Sequence, residues 1–329
     1  MKIGLVGCGY WGRNIARNLH QMGLLGAVCD PSAKVLDSVP KLYPGALATK
    51  SLADLLKSKE IDAIAIASPA AQHAAIAKAA LTAGKDVFVE KPLALDVKEA
   101  KALLDLAKKK KRILMVGHIL QYHPAIRQLK SLVDAGDLGD IQYVYSNRLN
   151  LGKIRHEENI LWSFAPHDIS VILLLLGRLP KSVATTGESW LRKGVADVTM
   201  TTLEFDKGAR AHIFVSWLHP FKEQKLVVVG SKRMAVFDDV VKEGKLRLFD
   251  KGVDWLDGQP VIRQTSESTL FFPDLEPLRE ELLHFADCIR TRKTPHTDGR
   301  NGLDVLRVLD AGQRSLDSRG KPVVLKKRL

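Results

Sequence analysis

Val87-Phe88-Val89-Glu90-Lys91-Pro92 sets a carboxylate and an ammonium at the end of three apolar, β-favouring residues. Such a run reads as a buried strand of a parallel sheet, and open α/β sheets place ligands at the carboxyl ends of their strands. Pro92 cannot continue a ladder, so Glu90 and Lys91 fall at the rim, where a cation could steady charge developing on an oxygen. A salt-bridged loop start would use the same residues, so the surrounding chain has to decide.

Upstream, Gly7-Cys8-Gly9-Tyr10-Trp11-Gly12 follows the strand Lys2 to Gly7 and opens a helix, Arg13 to Met22. In this context G-x-G-x-x-G is a dinucleotide fingerprint. Its glycines serve a tight turn, close backbone approach to a pyrophosphate and close helix–strand packing, and the helix N-terminus faces the phosphates. The next strand, Leu25 to Cys29, ends at Asp30, 23 residues after Gly7. An acid there accepts from a ribose 2′-hydroxyl and repels a 2′-phosphate, which favours NAD over NADP. Asp30 could also cap the helix that starts near Pro31-Ser32.

A second concentration of chemistry lies at 148–168, in Arg148, Asn150, Lys153, Arg155, Asn159, Trp162, His167 and Asp168. Cations and amides around a Trp suit a pocket for a phosphorylated sugar carrying a planar base. A solvated irregular loop has a similar composition. His167 follows Pro166 and opens an apolar helix, Ile169 to Leu176, a rigid place from which to aim an imidazole.

The elements that must position these residues fall into two domains, 1–120 and 121–329. In the first, strands and helices alternate. After Asp30 come a short helix at 51–57, a strand at 61–67 ending in Ser68-Pro69, and a helix at 70–83 carrying His73, which could face a cofactor or merely solvate its first turn. The strand 86–89 then leads to a helix that Asp96 and Glu99 begin as a capping box, and the strand 113–117 closes a doubly wound parallel sheet of about six strands. The second domain reads as α+β. Its strands are expected at 141–150, 182–190, 195–205, 209–217, 224–230 and 234–238, forming a large open, mostly antiparallel sheet. Its flanking helices are expected at 124–135, 168–176, 278–290 and 303–316. An open sheet leaves a face to cover, which predicts a homo-oligomer, a dimer or tetramer, through that sheet.

The series Gly7-x-Gly9-x-x-Gly12, Asp30, Ser68-Pro69-x-x-x-His73 and Glu90-Lys91-Pro92 resembles the glucose-fructose oxidoreductase/inositol dehydrogenase/rhizopine-catabolism (Gfo/Idh/MocA) family. The resemblance implies a Rossmann domain binding NAD through Gly7, Gly9, Tyr10, Trp11, Gly12, Asp30, Ser68, Pro69, His73, Glu90, Lys91 and Gln121. It implies an enzyme acting on a sugar or cyclitol hydroxyl, with Lys91 beside the reacting carbon and His167 as the catalytic base. It also implies substrate contacts from Lys91, Asn150, Lys153, Arg155, Asn159, Trp162, His167 and Asp168. Many members carry Asp four residues before that His and three after it. Ser163 and Ser170 stand there instead, so Lys91 and His167 must suffice.

The wording of 144–177 is similar to the narrower branch of nucleotide-sugar 3-dehydrogenases. That branch implies oxidation of the C3 hydroxyl of UDP-N-acetylglucosamine to a 3-keto sugar, passed to a pyridoxal-phosphate aminotransferase for a 3-amino sugar of lipid A or another glycan. The alternatives are another nucleotide sugar, free inositol or glucose, and, from a different class, a non-catalytic NAD-responsive regulator.

Composition bounds these readings. The net charge is +13, with basic runs at 108–112 and 326–328, which read as a helix end and a tail rather than a nucleic-acid surface. A positive field would attract an anionic substrate. Cys8, Cys29 and Cys288 have neither metal spacing nor a disulfide framework, and no metal site is expected. No leader and no membrane-length apolar run are read, so a cytoplasmic enzyme is expected.

Overall fold

The computed structural model describes residues 1–152, 154–155 and 158–326. Its first part alternates strands and helices: β1 (Ile3–Val6), α1 (Gly12–Gln21), β2 (Leu25–Cys29), α2 (Ala33–Leu42), β3 (Leu47–Thr49), α3 (Leu52–Lys57), β4 (Ala63–Ile66), α4 (Ala70–Thr82), β5 (Asp86–Glu90), α5 (Val97–Lys110) and β6 (Leu114–Gly117). The six strands are parallel, in the order β3-β2-β1-β4-β5-β6, so the chain reverses direction across the sheet between β1 and β4. That switch point is where doubly wound sheets bind ligands. β1, β4 and β6 are buried throughout, as a sheet covered on both faces requires. Three of these helices start on side-chain caps that satisfy free N–H groups: Ser32 for α2, Ser51 for α3, and Asp96 for α5, where it accepts from Lys98 N and Glu99 N. On α4, the buried residues His73, Ile76, Ala77, Ala80 and Leu81 keep strict helical spacing, which turns one stripe onto the sheet.

The chain continues through α6 (Pro124–Asp134), β7 (Ile141–Leu149), α7 (Ile160–Leu176), β8 (Ser182–Glu188), β9 (Val198–Glu204), β10 (Arg210–Ser216), β11 (Glu223–Gly230), β12 (Met234–Asp238), β13 (Leu246–Leu256), β14 (Gln259–Leu270), α8 (Pro277–Thr291), α9 (Gly299–Asp317) and β15 (Val323–Val324). β7 to β15 form one sheet in the order β14-β13-β12-β11-β7-β10-β9-β8-β15. Only the β7–β10 pair within it is parallel, so the sheet is mixed and mostly antiparallel. Alternate residues such as Val144 and Ser146, Ala211 and Ile213, and Thr199 and Thr201 are buried on one face, where α7 packs. Among the described residues no helix is long and apolar enough to cross a membrane.

Three features depart from the sequence reading. α7 begins at Ile160, not at 168 or 169. Asn159 caps it by accepting from Trp162 N at 3.2 Å, and Pro166 lies inside it. The long hairpin β13–β14 was not expected; it turns at Asp257-Gly258, both with positive φ (50° and 76°), as a two-residue type I′ turn demands. Finally, α8 packs on the first sheet's layer, against α1 and with Phe285 5.8 Å from Phe88 between ring centroids. The chain accordingly divides into Met1–Ile119 with Glu276–Leu306, and Leu120–Leu275 with Arg307–Leu329.

Candidate active site

In the first unit, the loop between β1 and α1 is shaped by two glycines. Gly7 has φ +87°, and a Cβ at Gly12 would sit 2.1 Å from the Gly7 carbonyl oxygen. A Cβ at Gly9 would meet nothing within 4 Å, which leaves that face of the loop clear for a pyrophosphate. The first turn of α1 holds Arg13 and no acidic residue. Tyr10 is exposed. Asp30, 7% exposed at the end of β2, accepts from Cys8 N at 2.8 Å and from Ser32 N at 2.9 Å. It therefore ties this loop to β2, while Ser32 rather than Asp30 caps α2. The loop, the uncapped helix N-terminus and the carboxylate at the strand end together fit a dinucleotide. When bound, it supplies the hydride acceptor.

The rim at β5 is joined to this loop. Trp11 Nε1 donates to Glu90 Oε1 at 2.6 Å, and Lys91 N–H donates to Glu90 Oε2 at 3.3 Å. The Glu90 carboxyl lies over its sheet partner Gly117, where a Cβ would come within 3.1 Å of it. Burial pushes Glu90 up to about 7, opposed by the Trp11 hydrogen bond and by the charge of Lys91. His73 neither solvates a helix turn nor stands open: it is 2% exposed, with Nδ1 2.7 Å from the Pro92 carbonyl oxygen and Nε2 2.9 Å from that of Ser68. It straps the turn after β5 to the end of β4. Ser68 Oγ is buried without a hydrogen-bond partner among the described residues, and Pro69 precedes the first turn of α4.

Two buried groups of this unit escaped the sequence reading. His118, directly after β6, is 1% exposed and has neither ring nitrogen hydrogen-bonded among the described residues. Burial first, and the Lys91 charge second, push it down to about 3, so it is neutral. Glu281 on α8 is fully buried. His118 stands one residue past an apolar strand, a position that could have flagged it. Glu281 carried no signal at all.

The second unit places the remaining residues. Asp168 is 3% exposed and is consumed by its own neighbours. Arg148 Nε donates to it at 2.9 Å, Arg148 Nη2 at 3.2 Å and Ser146 Oγ at 2.7 Å. Ser146 and Arg148 are two apart on β7 and so share the face that meets α7. This ion pair holds α7 to the sheet. His167 is a partly exposed residue in the interior of α7, and Ser170 Oγ donates to its carbonyl oxygen at 2.8 Å. Ser163 is buried, and Gln121 is buried with its amide donating to the Ser170 carbonyl oxygen at 3.2 Å. Asn159 Nδ2 and Trp162 Nε1 both donate to Gln313 Oε1, at 2.8 and 3.0 Å, so these donors are engaged by α9. Arg155 pairs with Glu158 at 3.3 Å, and Asn150 follows β7. Lys153 lies outside the described residues.

A doubly wound sheet with a glycine-turned phosphate loop, an acid at the end of β2 and a lysine at the rim of β5 defines a dinucleotide-dependent oxidoreductase. Residues 1–118 match the family model described as "Oxidoreductase family, NAD-binding Rossmann fold", and residues 126–236 match the "GFO/IDH/MocA C-terminal domain". The chain belongs to the Gfo/Idh/MocA oxidoreductase family, and NAD is its cofactor. It is similar to the UDP-N-acetylglucosamine 3-dehydrogenase of Acidithiobacillus ferrooxidans, 28% identical over 93% of this chain and 94% of that one. The solved structure of that enzyme superposes with a TM-score of 0.85 at 26% identity, over 97% of this chain and 98% of that one. A protein classed as an oxidoreductase from Magnetospirillum magnetotacticum MS-1 superposes with a TM-score of 0.82 at 30% identity, over 94% of this chain and 99% of that one. The NAD(+)-dependent scyllo-inositol 2-dehydrogenase of Bacillus subtilis strain 168 is 28% identical over 74% of this chain and 71% of that one.

Proposed function

We propose that the chain oxidises the C3 hydroxyl of UDP-N-acetylglucosamine to the 3-keto sugar with NAD. The observation that carries this reading is likeness over nearly the whole length of both chains to an enzyme named for that reaction, in sequence and in fold. In this reading His167 removes the hydroxyl proton, a task suited to an imidazole near neutrality, and Lys91 hydrogen-bonds the oxygen as its charge develops. The positive net charge favours a diphosphate-bearing substrate over an uncharged cyclitol. Of the cations and amides expected around that diphosphate, Trp162 is the poorest donor, since its single N–H goes to Gln313. The Asp168 carboxylate is turned to Arg148 and Ser146, so its part in substrate binding is indirect, through α7.

The scyllo-inositol dehydrogenase likeness supports a second reading, oxidation of a free cyclitol, over a smaller share of both chains. In the first reading a pyridoxal-phosphate aminotransferase consumes the 3-keto product, and the half-exposed face of the large sheet, with Tyr143, Tyr145 and His212, is where a second copy of the chain would dock. The test is to incubate the protein with NAD, UDP-N-acetylglucosamine and such an aminotransferase with glutamate. A 3-amino sugar nucleotide by mass spectrometry supports the reading. No product, with ready turnover of inositol, rejects it.

A further inference from the structure

α8 presents Glu281 and Phe285 one helical turn apart, and β5 presents Phe88 and Glu90 on one face of its strand. Phe285 meets Phe88 at 5.8 Å between ring centroids. Four helical residues rise about 6 Å and two strand residues about 6.6 Å, and Glu281 feels the charge of Glu90, so the matched spacing sets the two carboxyls near each other. Glu281 is 0% exposed, and neither of its carboxyl oxygens has a hydrogen-bond partner among the described residues. A buried carboxyl left in that state asks for an explanation.

We propose that Glu281 is a positioning residue for the NAD site: with Glu90 it forms a buried two-carboxyl site that carries a single negative charge, held on Glu90, where it fixes Trp11 of the phosphate loop. Glu281 is the protonated member. Burial drives it well above the carboxylate range, and the Glu90 charge adds to that. Two carboxyls at such a spot cannot both ionise cheaply, and the proton stays on the one without donors. Glu90 has its donors in Trp11 Nε1 and Lys91 N. Glu281, neutral but polar, lets Glu90 carry its charge in a place that a hydrocarbon neighbour would make costlier. The other ionisable groups on the neighbouring elements include Arg13, Arg17 and His20 on α1, Lys91 after β5, His118 after β6, Asp304 on α9, Arg279, Glu280, His284, Asp287 and Arg290 on α8 itself, and Glu276 at its N-cap. Arg17 is engaged by Glu276 at 2.5 Å, and His118 is neutral.

The inference concerns cofactor binding and does not depend on which sugar is oxidised. Its test is NAD affinity against pH in the full chain, with infrared spectra of the same samples. Wild type should lose affinity several-fold as pH falls through the ionisation of Glu90. Glu281→Gln keeps the shape and polarity of the protonated acid and should keep that midpoint. Glu281→Met should raise the midpoint by about one pH unit without lowering Tm, because a buried group lacking a partner has been removed. The carbonyl band of a protonated carboxylic acid should persist in wild type at about pH 8.5 and be missing from Glu281→Gln. Identical midpoints in wild type and Glu281→Met, or identical infrared bands in wild type and Glu281→Gln, would overturn the proposal.

Discussion

Trp11 Nε1 donates a 2.6 Å hydrogen bond to Glu90 Oε1, so the phosphate loop and the carboxyl end of β5 are one mechanical piece. A hydrogen bond to a charged acceptor contributes about 1.5–3 kcal/mol, and a sizeable part of that is spent on holding the loop ready for a dinucleotide. Trp11→Phe keeps an aromatic ring and loses the donor. Its Kd for NAD should rise about tenfold by calorimetry. An unchanged Kd would show that the loop is held by its glycines alone.

Asp30, directly after β2, accepts one backbone N–H group on each carboxyl oxygen, from Cys8 and from Ser32. A 2′-phosphate brought there would face a buried like charge. Binding of NAD should exceed that of NADP by about 2 kcal/mol or more. Equal affinities in a paired calorimetric titration would remove Asp30 from the specificity argument.

The raised ionisation of Glu90 makes stability depend on pH with a defined sign. A carboxyl whose folded-state value is raised contributes fully below its unfolded value of about 4.5 and loses that contribution as pH rises through about 7. Glu90→Gln is neutral at every pH. Its Tm relative to wild type should therefore climb by a few degrees between about pH 4.5 and pH 8.5. A gap that stays constant, or one that narrows, would show that burial does not control this group.

Lys91→Ala and His167→Ala should each lower turnover by about a hundredfold or more, with NAD affinity kept within a few-fold, because both are assigned to the substrate side. Asp168→Ala should behave differently. It leaves the half-buried Arg148 without its counter-charge, a loss of up to about 3 kcal/mol that thermal unfolding would detect as a fall in Tm. Near-normal turnover in either of the first two variants would strip that residue of its role.

The parts of this molecule that could be read from sequence are those whose signal is local. The fingerprint around Gly7, Gly9 and Gly12 works through turn and approach geometry confined to six residues, and the apolar run into Glu90-Lys91-Pro92 marks its own strand end. α7 was misread because Pro166 looks like a helix start, its favoured position, whereas the helix opens at the Asn159 cap and tolerates the proline inside. The hairpin at Asp257-Gly258 carried a strong turn dipeptide that its polar strands obscured. His73 offered two local alternatives, and its burial between two backbone carbonyls of different loops removes only the one in which it solvates a helix turn. Glu281 shows the limit most clearly. On an amphipathic helix a glutamate reads as solvent-facing, and only the packing of α8 onto β5 buries it.

The substrate assignment is tested most directly by following a single hydrogen. UDP-N-acetylglucosamine deuterated at C3 is incubated with the protein, NAD and a trapping aminotransferase, and the reduced cofactor is analysed by mass spectrometry. Deuterium in the NADH, together with none from substrate deuterated at C4, is the result predicted. Unlabelled NADH from the C3-deuterated sugar, or label arriving only from C4, would contradict the assignment.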